Sequence, residues 1–132
     1  MNNHTKVLVV DDDVEVCQIL HRMLSDKEFQ VQITQSVADA VQAIDERLFD
    51  VYLVDFNLED GTGCDIGDRV RSKGSAAPII VVSGYDPETV ALKAGTLRLF
   101  DIIEKPFSRT RISDAVTKAM CPTQEKLDPI KA

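Results

Sequence analysis

The chain lacks the features that mark a membrane, secreted or metal-thiolate protein. Its 132 residues contain no apolar run of about 18 or more, the length that a spanning helix needs. The segment Met1–Lys6 lacks the apolar stretch of a signal peptide. Cys17, Cys64 and Cys121 are odd in number, lie far apart and form no C-x-x-C pair, so neither a zinc site nor a disulfide framework is indicated. We therefore expect a cytoplasmic protein without a membrane span.

A basic surface is also missing. Lys and Arg number 15 against 22 Asp and Glu, which gives a net charge of −7. Nucleic acid binding by this chain alone would need a basic face, so direct contact with nucleic acid is not expected. The G-x-x-x-x-G-K-[ST] loop of nucleotide-binding proteins is absent, and there is no clear phosphate loop for a flavin. What remains is a hydrophobic content of 44%, enough for the core of one ordinary domain.

Short apolar runs alternate with amphipathic stretches along the chain. The runs predict five strands at Lys6–Val10, Phe29–Ile33, Val51–Val54, Pro78–Val82 and Phe100–Ile103. Helices are predicted after Asp13, after Ser36, over about Cys64–Lys73, from Asp86 and after Ser108. In the second of these helices, Val37, Val41, Ile44 and Leu48 are predicted to line the inner face.

This alternation predicts an α/β fold with a doubly wound, five-stranded parallel sheet and helices on both faces. Right-handed crossovers favour the flavodoxin-like strand order 2-1-3-4-5. We expect one domain over residues 1–121 and a flexible C-terminal tail over residues 122–132. In this fold, ligands bind at the carboxyl ends of the strands, beside the switch point between strands 1 and 3.

Acidic residues follow both strands that flank this switch point. Asp11, Asp12 and Asp13 come directly after the first strand, and Asp55 ends the third. Like charges about 4 Å apart repel by roughly 4 kcal/mol at an effective dielectric near 20. A divalent cation is the most direct way to offset this repulsion, so the pattern predicts a metal site.

Two further polar residues stand at strand ends on the same edge. Ser83 ends the fourth strand and Lys105 follows the fifth. Mg²⁺ in proteins commonly uses one or two carboxylates together with phosphate oxygens. A hydroxyl and an ammonium at the same place suit the remaining oxygens of a phosphoryl group. The pattern thus predicts a magnesium-assisted phosphoryl-transfer site with Asp55 as acceptor.

Other polar residues have simpler structural explanations. We expect Asp13 to cap a helix and Asp60 to lie in a turn. Cys17 and Cys64 are predicted to be core or near-core thiols rather than reactive ones. Asp101 and Glu104 are predicted to form a solvated face.

With these motifs the chain resembles the receiver domain of bacterial two-component response regulators, of which the chemotaxis regulator CheY is the single-domain example. The resemblance covers about Lys6–Met120. Four motifs at strand ends carry it: Val-Val-Asp11-Asp12-Asp13, Val-Asp55-Phe-Asn57-Leu-Glu-Asp60-Gly, Val-Val-Ser83-Gly and Lys105-Pro106-Phe107.

The resemblance implies that Asp55 accepts a phosphoryl group from the phosphohistidine of a histidine kinase. It also implies that Asp12 and Asp55 bind Mg²⁺ directly, that Asn57 adds its main-chain carbonyl and that Asp11 acts mainly through water. The implied partners are a sensor histidine kinase or phosphotransfer protein and a downstream protein or output domain. A homodimer through helix 4, strand 5 and helix 5 is a further implied possibility.

The resemblance implies that Ser83 and Lys105 hold the phosphoryl oxygens. It also implies that the Lys105–Pro106 peptide is cis. Position 102 departs from the family, because Ile102 stands where many receivers have Tyr or Phe. The aromatic switch of those receivers is therefore in question here. In the family, the positions of Asn57 and Tyr85 tune self-dephosphorylation, and we expect the Tyr85 ring to screen the phosphoryl group from water.

Two other functions are weighed against this signalling switch. A small phosphohydrolase of the haloacid dehalogenase type would also form an aspartyl phosphate, but it places its nucleophile on the first strand. A degenerate receiver used only for docking would not need the intact acidic set and Lys105. The sequence leaves open whether the chain is a complete regulator or a receiver cut from a longer protein.

Overall fold

The structure, a computed structural model, describes residues 5–25 and 29–120. Within them, five parallel strands form one sheet in the order β2-β1-β3-β4-β5. The strands are β1 (Lys6–Val10), β2 (Gln30–Thr34), β3 (Val51–Asp55), β4 (Ile79–Ser83) and β5 (Asp101–Glu104). The predicted doubly wound topology is confirmed, and β1 and β3 are neighbours at the switch point.

Five helices connect and cover the strands in the described part of the chain. They are α1 (Val14–Ser25), α2 (Val37–Glu46), α3 (Gly63–Ser72), α4 (Pro87–Ala94) and α5 (Arg109–Ala119). A short 3-10 turn, Gly95–Leu97, follows α4. Between β3 and α3 the chain forms a small antiparallel hairpin in which Asn57–Leu58 pairs with Gly61–Thr62. The sequence analysis anticipated turns at this place but not the pairing.

The sheet separates two hydrophobic cores. Successive side chains of a strand point to opposite faces, so the central strands are buried on both sides and read as continuous apolar runs. One core lies under α2, α3 and α4 and contains Leu8, Val10, Tyr52, Val54, Ile79 and Val81 from the strands. The other lies under α1 and α5 and contains Val7, Val9, Val51, Leu53, Ile80 and Val82. This packing holds the carboxyl ends of β1, β3, β4 and β5 along one rim.

The predicted inner face of α2 is partly wrong. Leu48 lies beyond the end of the helix and is 50% exposed. The helix instead buries Ala40, Ala43 and Ile44, while Phe49 fills the core below the helix end. The apolar spacing continued in the sequence after the helix stopped at Glu46, because nothing in that spacing marks where the backbone turns away.

Helix caps follow the sequence signals. Asp13 Oδ1 accepts hydrogen bonds from the backbone N–H groups of Glu15 and Val16 at the start of α1. Ser36 Oγ caps α2 through Asp39, and Ser108 Oγ caps α5 in the same way. In residues 5–25 and 29–120 no helix is long and apolar enough to cross a bilayer. The predicted tail, residues 122–132, lies outside the described residues.

Candidate functional site

The polar residues predicted at strand ends lie at the carboxyl rim of the sheet. Asp11 and Asp55 are buried there, with 2% and 7% of their surfaces exposed. Backbone pairing continues past the strand ends, because the N–H of Asp11 donates to Thr34 O and that of Lys105 donates to Ser83 O. Strand register therefore carries these residues to one place, as the parallel topology predicts.

Lys105 joins the two buried carboxylates. Its Nζ lies 3.2 Å from Asp11 Oδ2 and 3.2 Å from Asp55 Oδ2. Asp55 ends β3, whereas Asp11 directly follows β1 and Lys105 directly follows β5, so the three residues are separated by up to 94 positions in sequence. A single ammonium thus balances one charge of a buried carboxylate pair.

The remaining oxygen of each buried carboxylate is held by the backbone. Asp11 Oδ1 accepts from the N–H of Asp13 at 2.9 Å, and Asp55 Oδ1 accepts from the N–H of Asn57 at 3.2 Å. Both are contacts to the residue two positions on, as in Asx turns. Each carboxylate is therefore fixed at both ends and has little freedom to turn away from its neighbour.

Asp12 completes an acidic cluster with Asp11 and Asp55. One carboxylate oxygen from each lies within 4.8 Å of the others, and Asp12 is the exposed member. With Lys105 included, three carboxylates face one ammonium, which leaves two net negative charges when all four groups are ionised. Hard oxygen donors that carry two uncompensated negative charges suit a hard divalent cation such as Mg²⁺.

Burial and charge shift the ionisation of this cluster. Burial raises the pKa of Asp55, and the negative charge of Asp11 raises it further, while Lys105 acts in the opposite direction. Burial alone would lower the pKa of Lys105, but the carboxylates of Asp55 and Asp11 outweigh it and the pKa lies above its ordinary value. Lys105 is therefore a permanent cation at neutral pH, and Asp55 is a carboxylate with unusually poor solvation.

A family model, described as the response regulator receiver domain, matches residues 7–117. The chain belongs to this receiver family. The matched span includes β2 to β5 and α1 to α4, together with most of β1 and of α5.

Curated relatives of this receiver domain are longer proteins. Transcriptional regulatory protein ZraR of Salmonella typhimurium is 33% identical over 122 residues, which cover 90% of this chain and 27% of ZraR. Photosynthetic apparatus regulatory protein RegA of Rhodovulum sulfidophilum is 32% identical over 123 residues, which cover 93% of this chain and 65% of RegA. The receiver domain thus spans only part of the length of these relatives.

Solved structures share its fold. The chemotaxis response regulator CheY4 of Vibrio cholerae superposes with a TM-score of 0.82 at 22% identity, covering 89% of this chain and 100% of that chain. The signal receiver domain of a putative Luxo repressor from Vibrio parahaemolyticus gives a TM-score of 0.82 at 20% identity, covering 89% and 90%. These likenesses are evidence for the fold alone.

The hydroxyl predicted for the site, Ser83, is buried at the end of β4 in the receiver domain. Its Oγ accepts a hydrogen bond from the backbone N–H of Tyr85 at 2.9 Å. The Tyr85 ring is 46% exposed and meets the Phe56 ring edge-on, with centroids 5.7 Å apart. Phe56 directly follows Asp55 in sequence, so the Tyr85 ring contacts the residue next to the predicted acceptor.

Two further positions of the receiver domain bear on the predictions. Ile102 is half-buried and packs against the core under α2, α3 and α4, so an aliphatic side chain stands where many receivers place a ring. Asp101 was predicted to be solvated, but its carboxylate accepts two hydrogen bonds from the Arg111 guanidinium, at 2.8 and 3.0 Å. The pair lies at the surface, so the prediction of a solvated face missed only the partner, which approaches from α5 and cannot be seen in the local sequence.

Sequence reasoning predicted Cys17 as a core thiol but missed its contact with the chain at the rim. Cys17 Sγ donates to the backbone carbonyl of Asp11 at 3.1 Å. Burial, followed by the charges of Asp11 and Asp13, raises the pKa of this thiol to about 11. Cys17 is therefore neutral at physiological pH, which confirms the prediction that it is a core thiol.

Gly63 is predicted to be essential for the position of Asp55. A Cβ at residue 63 would lie 2.8 Å from the backbone oxygen of Asp55 and 3.1 Å from Val54 Cγ2. Since backbone cannot yield as a flexible side chain does, Gly63→Ala should lower the free energy of unfolding by about 1–3 kcal/mol. Urea denaturation measures this. Gly84→Ala is the control, because a Cβ there meets nothing within 4 Å, and an equal loss in both variants would contradict the close-approach argument.

Proposed function

We propose that this receiver domain is a phospho-acceptor switch of a two-component system, in which Asp55 takes a phosphoryl group from a histidine kinase in the presence of Mg²⁺. The observation that carries the proposal is the placement of Lys105 Nζ at 3.2 Å from both Asp11 and Asp55, with Asp12 in the same cluster. This arrangement unites a fixed carboxylate nucleophile, a cation and a set of oxygen donors.

The proposed reaction is a displacement at phosphorus. An oxygen of the Asp55 carboxylate forms a bond to phosphorus, while the bond from phosphorus to the donor nitrogen or oxygen breaks and its electron pair leaves with the donor. The hydrogen bonds from Asn57 and Lys105 hold the carboxylate in position before attack. Such positioning is a large part of catalysis in phosphoryl transfer.

Mg²⁺ would be held directly by Asp12, Asp55 and the main-chain carbonyl of Asn57. Asp11 would act on it through water. When bound, the cation would supply positive charge against the phosphoryl oxygens. Asp11 and Asp12 therefore serve to bind and place the cation rather than to attack.

Lys105 and Ser83 are proposed to donate hydrogen bonds to the phosphoryl oxygens. When Asp55 becomes an acyl phosphate it loses its carboxylate charge, and the ammonium of Lys105 then has the phosphoryl group as its nearest new anion. The Ser83 hydroxyl oxygen accepts from Tyr85 N–H, which leaves its own proton available for donation. Both residues would thus stabilise the phosphorylated form.

The proposed output is a change in a partner surface formed by α4, β5 and α5. Leu92 on α4 is a large apolar side chain with 82% of its surface exposed. Phosphorylation favours one arrangement of the face and so biases partner binding. The upstream partner is a histidine kinase or phosphotransfer protein, and a homodimer through the same face is part of the proposal. We place these events in the cytoplasm, where the free thiols of Cys17 and Cys64 stay reduced.

Acetyl phosphate with Mg²⁺ tests the proposed function. Intact-protein mass spectrometry should find the mass of one added PO₃H unit per chain, and chelation of Mg²⁺ should prevent the addition. A phosphohydrolase would instead release phosphate continuously from acetyl phosphate or other esters without a stoichiometric limit. A docking-only receiver would take up none. Either of these results would replace the proposed function.

Tyr85 is expected to lengthen the life of the phosphorylated state. Its ring contacts Phe56, the residue after Asp55, and this contact supports the proposal that the ring limits the approach of water to the acceptor. Tyr85→Ala should therefore lose the phosphoryl group roughly fivefold faster, which corresponds to about 1 kcal/mol of barrier. Tyr85→Phe keeps the ring and should behave like the parent. The rate is measured by the decay of the phosphorylated mass after removal of the donor, and an unchanged rate in Tyr85→Ala would refute the screening role.

A further inference from the structure

Asp60 links the loop after β3 to a helix elsewhere in the sequence. Its Oδ1 accepts from the backbone N–H of Val37 at 2.8 Å, and its Oδ2 accepts from the N–H of Ala38 at 3.0 Å. These donors open α2, more than 20 positions earlier in the chain. The first N–H groups of a helix have no partners within the helix and favour an anion, so both charge and geometry stabilise this contact.

The loop that Asp60 holds is the one that carries Asn57. Asn57 pairs with Thr62 and Leu58 pairs with Gly61 in the small hairpin, and Asp60 lies in the turn that joins the two short strands. The two-residue pairing is too short to be stable alone. A Cβ on Gly61 would come within 3.0 Å of Val37 Cγ2, so the hairpin tip lies directly against α2.

Asp60 also has a different role from the other cap of the same helix. Ser36 Oγ accepts from Asp39 N–H at 3.0 Å, and both groups are local to α2. Ser36 therefore stabilises the helix start without contact to the hairpin in the hydrogen bonds of the described residues. Asp60 alone of these two caps connects α2 to the segment that bears Asn57.

We propose that Asp60 is a positioning residue for the magnesium site, which acts by fixing the Asn57–Thr62 hairpin against the start of α2. This inference rests on the proposed function, in which the main-chain carbonyl of Asn57 belongs to the site. A ligand on a short hairpin is only as well placed as the hairpin itself, so a lost tether at the tip lowers affinity although no metal-binding residue has changed.

The contact between Asp60 and α2 also predicts an effect of Mg²⁺ on the start of that helix. If a fixed hairpin favours Mg²⁺, then bound Mg²⁺ must favour the fixed hairpin to the same extent, because coupling between two equilibria is reciprocal. Mg²⁺ should therefore slow hydrogen exchange at the amides of Val37 and Ala38, which donate hydrogen bonds to Asp60. The amide of Asp39, which donates to Ser36, is the internal reference.

The proposal is tested by titrating the full chain with Mg²⁺ alone and measuring the affinity by isothermal titration calorimetry. Asp60→Ala should weaken Mg²⁺ binding about tenfold, as loss of an outer-shell partner commonly does. Ser36→Ala removes a cap from the same helix, and Glu59→Gln removes a charge from the exposed neighbour in the same turn, so both should bind Mg²⁺ as the parent does. Amide exchange in the parent, with and without Mg²⁺, supplies the second readout.

Each result decides the matter. Weaker binding by Asp60→Ala alone, with Mg²⁺-dependent protection of Val37 and Ala38, supports the positioning role. Equal weakening by Ser36→Ala or by Glu59→Gln overturns it in favour of general destabilisation or simple charge. If Asp60→Ala does not fold, unprotected amides in the Mg²⁺-loaded parent overturn it by themselves. Failure of the parent to bind Mg²⁺ would reject the proposed function, whereas equal affinity in parent and Asp60→Ala would reject only the role of Asp60.

Discussion

Asp55→Asn is expected to abolish phosphoryl uptake. With acetyl phosphate and Mg²⁺, the parent should gain the mass of one PO₃H unit and Asp55→Asn should gain none. The physical reason is that a neutral amide is a far weaker nucleophile than a carboxylate and cannot form the acyl phosphate. The effect is complete loss rather than a reduced rate, provided that no other acid of the cluster substitutes.

Loss of labelling in this variant should not reflect unfolding. Burial raises the pKa of Asp55, so at neutral pH its ionised form is less favourable in the folded than in the unfolded chain. An amide of the same shape removes that cost and the repulsion from Asp11. Without Mg²⁺, Asp55→Asn should therefore unfold at a temperature no lower than the parent, which thermal denaturation measures.

Asp50→Asn is the matched control for this experiment. Asp50 precedes the same strand, β3, and its carboxylate accepts the backbone N–H of Lys6 at the opposite edge of the sheet. This variant loses the same charge but should be labelled as the parent is. Peptide mapping should place the label on Asp55. Phosphoryl groups on Asp11 or Asp12 in Asp55→Asn would show that the acceptor is not unique.

Lys105→Met is expected to cause the largest loss of stability at the site. It leaves the buried carboxylates of Asp11 and Asp55 opposite each other without their shared cation. Removal of one partner of a buried ion pair is costly, and about 3 kcal/mol is expected here because Lys105 is partly exposed. Urea denaturation at neutral pH without divalent cations measures the loss.

The pH dependence of this loss has a definite sign. A carboxyl group whose pKa is raised in the fold stabilises the protein below its unfolded pKa, and this contribution disappears as pH rises through the folded value. Lys105 opposes the rise in the pKa of Asp55, so its removal raises that pKa further. The deficit of Lys105→Met relative to the parent should thus be greatest near neutrality and shrink as the pH falls toward the ordinary range of Asp.

Mg²⁺ should partly rescue Lys105→Met, because a divalent cation can replace the missing positive charge among the three carboxylates. The added stability on Mg²⁺ should be greater in Lys105→Met than in the parent. Lys73→Met is the control, since Lys73 pairs with Asp45 at 3.6 Å on the surface and should cost less than about 1 kcal/mol. Equal losses in the two variants would mean that the buried pair does not need Lys105.

The amino-acid sequence by itself determined the strand runs, the caps at Asp13 and Ser108 and the meeting of Asp11, Asp55 and Lys105. These follow from periodicity, from short-range hydrogen bonding and from one topological rule, that parallel strands end at the same edge. Each depends either on a few consecutive residues or on the order of the elements, and both can be seen in a single chain.

The tertiary structure decided the contacts between elements that are distant in sequence. Asp60 was recognised as a turn residue, but only the packing of the hairpin on α2 brings its carboxylate to Val37 and Ala38. Arg111 likewise meets Asp101 across α5 and β5. The physical reason is that local pattern fixes which face of an element is apolar, whereas the partner of a polar side chain depends on how the packed elements lie beside each other in three dimensions.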